Sequence, residues 1–252
     1  EANWPQRSAG CGCLDTCGFE KDAFYFYKSV WNQNEKFAYL CPHWNLKLKK
    51  GTVLPVICYT NCEDAELFVN GRSFGVKSKG FPCYGMTERY GHFDRYRRPA
   101  NTDDLFLSWD VPYEPGKIEV VGYHDGKEVC RYNVETTGEA AAIKLTVDKT
   151  SVDADGRSVV QAEIRIGDSK GRIVLDANPQ LDFALEGDGE IIGIDNGDPA
   201  CHEQWKETKG RHAFNGMAYA VIRAGQNKGE LKLTVTSSDN TLTNASVTIQ
   251  VG

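Results

Sequence analysis

The chain has 252 residues, of which 40% are hydrophobic and 25% charged, and these ordinary globular values exclude a wholly disordered protein. It carries 29 Lys and Arg against 35 Asp and Glu, a net charge of -6, which argues against a nucleic-acid partner because such binding depends on clustered cations. No run approaches the roughly 18 apolar residues of a transmembrane helix, so the sequence predicts no membrane partner.

The first predicted element is a helix with an aromatic face. Phe24, Tyr27 and Trp31 are spaced as i, i+3 and i+7, which places them on one side of an α-helix, and Asp22 is expected to cap its start. One helix cannot bury so many aromatic side chains alone, so we expect residues 1–45 to be a piece of something larger, docked on a neighbour. Because no Met begins the chain, we also expect that it was processed or cut from something longer.

From residue 46 onward almost every signal indicates β-strands. Asn70-Gly71 separates two strand-like runs and favours a type I′ hairpin, whose two turn residues need a positive φ. Asp125-Gly126 is the predicted turn of a second hairpin. Short strands separated by turns suggest one β-sandwich over residues 46–137 and, after a short linker, a second over residues 138–252. The predicted strands are 53–60, 65–69, 72–76, 105–109, 117–123 and 127–134, then 142–147, 159–166, 173–175, 181–185, 190–194, 217–223, 230–236 and 246–251.

One long segment, residues 79–104, lies between two strands and has no convincing strand of its own. Structureless loops of this length are usually functional or disordered. This one is rich in aromatic residues and arginines, which suit either sugar rings or the surface of a neighbouring domain. Tyr84, Tyr90 and Tyr96 are therefore candidates for substrate binding, with a domain contact as the favoured alternative.

The nine cysteines do not form a recognised metal motif. Cys11, Cys13 and Cys17 are clustered, but the second pair that zinc sites normally present does not follow. We therefore expect reduced, partly buried thiols rather than a metal site or a disulfide framework.

His202 lies close in sequence to three carboxylates, Asp195, Asp198 and Glu203, so a metal site is conceivable there. The same segment has the composition of a turn, which we favour. Nucleophile elbows, phosphate-binding loops and H-E-x-x-H zinc motifs do not occur in the sequence. We therefore expect no metal and no cofactor.

Motifs along nearly the whole chain, in the right order, resemble a known family. They are WPQRS (4–8), LDTCGFEKD (14–22), YFYKSVW (25–31), PHWN (42–45), YTN (59–61), ELFVNGRSFG (66–75), WDVPYEPG (109–116), TTG (136–138), DNGD (195–198) and RHAFNG (211–216). The first four are similar to the end of the catalytic barrel of bacterial glycoside hydrolase family 2 enzymes of the β-galactosidase type. The others are similar to the immunoglobulin-like domains that follow this barrel.

The resemblance implies two immunoglobulin-like β-sandwich domains, 46–137 and 138–252, preceded by a short helical remnant of a (β/α)8 barrel in residues 1–45. Family members hydrolyse β-glycosides with retention, using two glutamates on barrel strands upstream of anything seen here, so no catalytic residue is assigned in this chain. Trp4 and Arg7 would lie near the barrel's active-site end, where they could contact a β-galactoside-type oligosaccharide. Packing of Trp4 beneath the barrel rim is the alternative, and it is slightly favoured.

The resemblance thus implies the accessory C-terminal region of a β-glycosidase, expected to be a β-galactosidase. Its partner would be the missing catalytic barrel, which it would buttress, or it would assist assembly into a homo-oligomer. The parent enzyme is expected to be periplasmic or secreted. Two alternatives stay open: a free-standing carbohydrate-binding module, with the 79–104 loop or Trp205 as its platform, and a surface adhesin.

Overall fold

The computed structural model describes residues 11–32, 34–78, 105–206 and 209–252. Over these ranges the chain forms one α-helix and sixteen β-strands, which pair into four sheets. It divides into two compact units: a first unit of residues 20–136, and a C-terminal unit of residues 137–252 together with the segment before residue 20. The predicted mainly β class with β-sandwich domains is confirmed.

The first unit contains the helix and two antiparallel sheets. One sheet has the order β1-β2-β5 and the other β4-β3-β6-β7. Its elements are α1 (Asp22–Trp31), β1 (Ala38–Cys41), β2 (Val53–Thr60), β3 (Asp64–Val69), β4 (Arg72–Ser78), β5 (Leu107–Pro112), β6 (Lys117–His124) and β7 (Lys127–Glu135).

The hairpins of the first unit form where the sequence predicts them. Asn70 and Gly71, between β3 and β4, have φ angles of 49° and 80°, and Asp125 and Gly126, between β6 and β7, have 49° and 71°. Positive φ at both turn residues matches the right-handed twist of the flanking strands.

The core of the first unit follows from alternation along its strands. Every second residue of β3 is buried, namely Ala65, Leu67 and Val69. Trp44 is fully buried among them and donates a hydrogen bond from its indole nitrogen to the Glu114 carbonyl at 2.9 Å. A buried indole N–H needs such a partner, so this contact fixes the chain that leads into β2.

The C-terminal unit contains nine strands in two sheets, ordered β12-β14-β10-β8 and β13-β11-β15-β16-β9. The pairs are antiparallel except β16 with β9, which is parallel. Its strands are β8 (Ala140–Val147), β9 (Ser151–Val152), β10 (Val159–Asp168), β11 (Gln180–Glu186), β12 (Gly189–Asp195), β13 (Gly210–His212), β14 (Met217–Ala224), β15 (Gly229–Ser237) and β16 (Ala245–Val251).

The alternating positions predicted for this unit are its core. Ile164 and Ile166 on β10 and Leu231, Leu233 and Val235 on β15 are all fully buried. Their polar neighbours face outward, as expected for strands with one buried face.

The boundary between the two units falls between residues 136 and 137. The N-terminal region is divided differently from the predicted 1–45 segment, because residues up to Phe19 group with the C-terminal unit and α1 groups with the first unit. That this region is the tail of a barrel stays a prediction. In the described residues no helix has the length and hydropathy needed to cross a bilayer.

Candidate functional site

The substrate-binding candidates named from sequence cannot be placed. Trp4, Arg7, Tyr84, Tyr90 and Tyr96 all lie outside the described residues, as does the whole 79–104 segment. The described residues offer two other surfaces with functional potential: the outer face of α1 and a loop-and-pocket region around Trp205.

Helix α1 is fixed to the first unit by one of its two aromatic faces. Tyr25 stacks on Tyr39 with ring centroids 3.7 Å apart, and Phe26 meets the edge of Tyr59 at 5.6 Å. Ser29 is buried on the same side and donates to the Phe26 carbonyl at 2.6 Å.

The start of α1 corrects one expectation. Lys21, not Asp22, occupies the N-cap position, and it makes no side-chain capping bond. Asp22 is the first helical residue, a position at which the positive end of the helix dipole stabilises a carboxylate. Its Oδ1 accepts a hydrogen bond from the Tyr39 hydroxyl at 2.7 Å, so Asp22 ties the helix to β1 instead of capping it.

The opposite side of α1 is an exposed apolar surface, which we call the α1 outer face and define as Tyr27, Val30 and Trp31. Their exposed fractions are 41%, 46% and 74%. Tyr27 and Trp31 stack on each other with centroids 4.8 Å apart. Phe24, Tyr27 and Trp31 thus share a side of the helix, as predicted from their spacing. Tyr27 and Trp31, however, point away from the first unit. This exposed apolar cluster is therefore a candidate interaction site.

The second surface is the 195–206 loop, which follows β12 and is built around a buried arginine. Arg211 on β13 has no exposed surface. Its Nη1 donates to the Glu203 carbonyl at 3.1 Å and to the Cys201 sulfur at 3.4 Å, and its Nη2 donates to the Gln204 carbonyl at 2.7 Å. A buried charge is tolerated only with partners of this kind.

Two carboxylates complete the environment of this guanidinium. Asp195 Oδ1 and Glu203 Oε2 lie 3.9 and 3.8 Å from Arg211 Nη1. Burial raises the pKa of Glu203, but hydrogen bonds from His212 and Cys201 and the charge of Arg211 outweigh it, so this pKa is lowered. The carboxylate therefore stays ionised beside the arginine.

The start of the loop is a turn, as favoured from sequence. Asn196 is buried, its Oδ1 accepts from the Asp198 N–H at 3.1 Å, and its Nδ2 donates to the His212 carbonyl at 2.9 Å. Asp198 Oδ1 accepts from the Ala200 N–H at 2.8 Å. The side chains of Asn196 and Asp198 are thus used to shape the backbone.

Metal-ligating groups converge at one place in the described part of the chain, and it is not this loop. They are Glu63, His124 and Asp125, whose candidate ligand atoms lie within 4.8 Å of one another. Glu63 already pairs with His124 Nδ1 at 3.1 Å and accepts from the Asp125 N–H at 3.0 Å. These contacts account for the group as surface side chains that support the β6–β7 turn.

A pocket of about 230 Å³ lies beside the 195–206 loop, within the C-terminal unit. Trp205 forms one wall, and its indole is 52% exposed. The indole lies against Gly193 of β12, where an added Cβ would be 3.2 Å from the Trp205 ring. The lining residues are Thr16, Cys17, Gly193, Ile194, Asp195, Trp205, Tyr219 and Val221.

The N-terminal segment reaches this pocket through a local turn. Asp15 Oδ1 accepts the N–H groups of Cys17 and Phe19 at 2.8 and 2.9 Å, and burial raises the pKa of Asp15. Phe19 is buried against the edge of Tyr219, with ring centroids 6.0 Å apart. The turn thereby places Thr16 and Cys17 on the pocket wall.

Sequence reasoning named Trp205 as a possible platform but missed the rest of the pocket. Gly193 carried a usable signal, since a glycine inside a predicted strand often marks a close approach of another group. The pairing of β12 with β14 does shift register next to it, between Ile191 and Gly193. Tyr219 carried no such signal, because it is one of several outward positions on its strand.

Two families match the chain in sequence. Residues 143–248 match glycoside hydrolase family 2 C-terminal domain 5, and residues 51–130 match a domain of unknown function. These matches fall in the C-terminal unit and in the first unit.

Curated relatives match over most of the chain. A β-galactosidase of Bacteroides ovatus is 36% identical over 235 residues, which are 93% of this chain and 25% of that protein. A β-glucuronidase of Formosa agariphila is 29% identical over 70% of this chain and 16% of its own length. The chain therefore spans a quarter or less of the length of these relatives.

Solved structures likewise match this chain to one part of longer proteins. A β-glycosidase from Bacteroides vulgatus superposes with a TM-score of 0.82 at 31% identity, covering 98% of this chain and 29% of that one. A glycosyl hydrolase family 2 member from Bacteroides cellulosilyticus gives 0.85 at 26% identity, covering 98% and 32%. In both, the fold of this chain is one part of a much longer enzyme.

Proposed function

Since this chain belongs to the C-terminal region of glycoside hydrolase family 2 enzymes, we propose that it supports the catalytic barrel of a parent β-glycosidase and does not cleave glycosides itself. A retaining glycosidase needs two carboxyl groups about 5–5.5 Å apart in its active site. In this proposal both belong to a part of the parent that this chain does not contain.

The α1 outer face is the observation that carries the proposal. Full burial of one large apolar side chain stabilises a protein by about 1.5–3 kcal/mol. Trp31 leaves most of that stabilisation unused in this chain, and Tyr27 and Val30 leave nearly half of it, although the helix that bears them is firmly packed on its other side. A barrel that covers this face would gain the stabilisation and would orient α1.

For the parent's substrate we propose a β-galactoside. The support is the Bacteroides ovatus relative, which matches 93% of the chain and is named a β-galactosidase. Because a shorter match is named a β-glucuronidase, a glucuronide is the second substrate to assay.

The test is made in the full-length parent enzyme. Replacing Tyr27 and Trp31 together by Ala should lower its melting temperature and its half-life of activity at elevated temperature, while KM stays unchanged, because the face supports the barrel without touching substrate. Val129→Ala, an exposed valine on β7, is the matched control.

Unchanged thermal stability in the double variant would contradict the role of the α1 outer face. A change of oligomer size on gel filtration, without loss of stability within one subunit, would assign the face to contacts between copies instead.

A second candidate function is carbohydrate binding by the Trp205 pocket. An exposed indole presents a flat apolar face that suits a sugar ring, and Asp195 and Tyr219 supply polar groups beside it. The volume of about 230 Å³ is smaller than the roughly 300 Å³ at which pockets for drug-sized ligands begin, so it suits one sugar unit.

Calorimetric titration with galactose, glucuronic acid and their β-linked oligosaccharides tests this second function. Binding that is lost in Trp205→Ala and kept in Trp31→Ala, which removes the other strongly exposed tryptophan of the described residues, would support it. A flat titration for every sugar would remove it.

A further inference from the structure

Two cysteines far apart in the sequence lie side by side in the first unit. Cys62 is in the turn between β2 and β3, and Cys130 is on β7. Their sulfur atoms are 3.5 Å apart, and both are free thiols. Neither belongs to the α1 outer face or to the Trp205 pocket, so a role for this pair is independent of the proposed function.

A glycine makes this approach possible. Gly122 on β6 is the partner of Cys130 in the antiparallel ladder. A Cβ added at Gly122 would lie 2.6 Å from the sulfur of Cys62 and 2.6 Å from the sulfur of Cys130. Any larger residue would therefore push both thiols away, and the absence of a side chain creates the space in which they meet.

The backbone on both sides of the pair is fixed. The Cys62 N–H donates to Thr60 Oγ1 at 3.0 Å, and the next residue, Glu63, donates its N–H to the Tyr123 carbonyl at 3.2 Å. These bonds attach the β2–β3 turn to β6. The two thiols are thus held together by sheet structure and do not meet only through side-chain motion.

The surroundings of the pair favour a thiolate. The hydrogen bond from Cys130 is the largest cause that lowers the pKa of Cys62, and together with the bond from Thr60 and the electrostatic effects of Lys36 and His124 it outweighs burial and brings this pKa to about 6. The same hydrogen bond and burial raise the pKa of Cys130, so the pair shares one proton and carries one thiolate, which rests on Cys62. A thiolate, not a thiol, is the nucleophile in thiol–disulfide exchange. Cys62 is 2% exposed, whereas Cys130 is only half-buried, so a small disulfide reaches Cys130 first.

We propose that Cys62 and Cys130 are a site of oxidative modification, which a low-molecular-weight disulfide such as oxidised glutathione converts to an intramolecular disulfide. After the shared proton moves to Cys62, the Cys130 thiolate attacks one sulfur of the small disulfide, forms a mixed disulfide and releases one thiolate.

The second step closes the bond. Cys62 gives its proton to the released thiolate and attacks the Cys130 sulfur, which expels the second small thiolate. The thiol and thiolate of the protein are oxidised to one disulfide, and one small disulfide is reduced to one thiol and one thiolate. The new bond links the β2–β3 turn to β7 across most of the first unit's sequence, and such long closed loops constrain the unfolded chain most.

The test treats the full chain with oxidised glutathione, alkylates the remaining thiols and maps the peptides by mass spectrometry. The expected product is a peptide pair joined through Cys62 and Cys130, and a melting temperature about 5–10 °C above that of the reduced protein. Cys130→Ser and Gly122→Ala should each abolish the cross-link, whereas Cys41→Ser, which removes a buried thiol on β1, should leave it intact.

The peptide map of the oxidised wild-type chain tests the proposed disulfide even if a variant fails to fold. Alkylation of both Cys62 and Cys130 after oxidation, a stable glutathione adduct on Cys130 without the cross-link, or a cross-link of Cys130 to another cysteine would each overturn the proposal.

Discussion

Arg211 is fully buried, yet its guanidinium has partners from several residues of the 195–206 loop. Replacing it by Met keeps the approximate volume but leaves the Glu203 and Gln204 carbonyls and two carboxylates without their cation. Breaking a buried charge network from one side costs about 3–5 kcal/mol. We expect Arg211→Met to lower the free energy of unfolding of the C-terminal unit by this amount in a urea titration.

The control for this prediction is Arg223→Met. Arg223 pairs with Glu190 at the surface, where both side chains are about half exposed. Such a pair contributes at most about 1 kcal/mol, so this variant should unfold close to the wild-type midpoint. Equal effects of the two substitutions would contradict the role assigned to Arg211.

Asp168 is a carboxyl group whose pKa is depressed by folding, so it is expected to make stability depend on acid. The Arg172 guanidinium and the N–H groups of Gly138, Arg172 and Lys170 hold the pKa of this carboxyl well below its usual range. A pKa that is depressed by folding stabilises the protein above the unfolded value of about 3.9, and the stabilisation is lost as pH falls through the folded value.

We therefore expect the melting temperature to fall as the pH is lowered below about 4, and Asp168→Asn to reduce that slope while destabilising the protein at neutral pH. Calorimetry at a series of pH values measures both effects. Asp153→Asn, at an exposed position, is the control and should keep the wild-type slope. An unchanged slope in Asp168→Asn would show that other carboxyls determine the acid response.

At the scale of elements, the sequence predicts the helix α1 but not which of its faces is buried. The spacing of Phe24, Tyr27 and Trp31 predicts a helix and an aromatic face correctly. It does not show which face the chain buries, because that depends on Tyr39 and Tyr59, which lie on later strands and become neighbours of α1 only after folding. Hairpin turns were predictable, in contrast, since Asn70-Gly71 carries its own conformational preference.

The two faces of α1 should respond differently to substitution in the isolated chain. Phe26→Ala removes a ring packed on Tyr59 and should cost about 1–3 kcal/mol, less than the loss of a fully buried Phe. Trp31→Ser removes a ring that is 74% exposed and should change stability by less than about 0.5 kcal/mol. Urea unfolding measures both, and the opposite ranking would mean that the outer face is already covered.

At the scale of the whole molecule, the mainly β class with β-sandwich domains follows from turn residues and alternating strands. The order of strands does not. Strand β14 lies between β12 and β10, and β9 joins β16 in parallel, so neighbours in the sheet are distant in sequence. Local patterns do not encode such pairings.

The sequence also did not predict which unit the N-terminal segment packs on. Residues 11–19 pack on the C-terminal unit, where an added Cβ at Gly197 would lie 2.1 Å from Asp15 Oδ2. This close approach depends on the absence of a side chain at Gly197, and nothing local to Asp15 signals it. The sequence could therefore predict both folds but not this contact.

The most direct test of an accessory role is hydrolysis of chromogenic β-galactoside and β-glucuronide by the purified chain and, in parallel, by the full-length parent enzyme. We expect turnover by the parent, with the β-galactoside preferred, and no turnover by the chain at any concentration. Turnover by the chain that survives repurification would contradict an accessory role, because the catalytic carboxylates would then have to lie within these 252 residues.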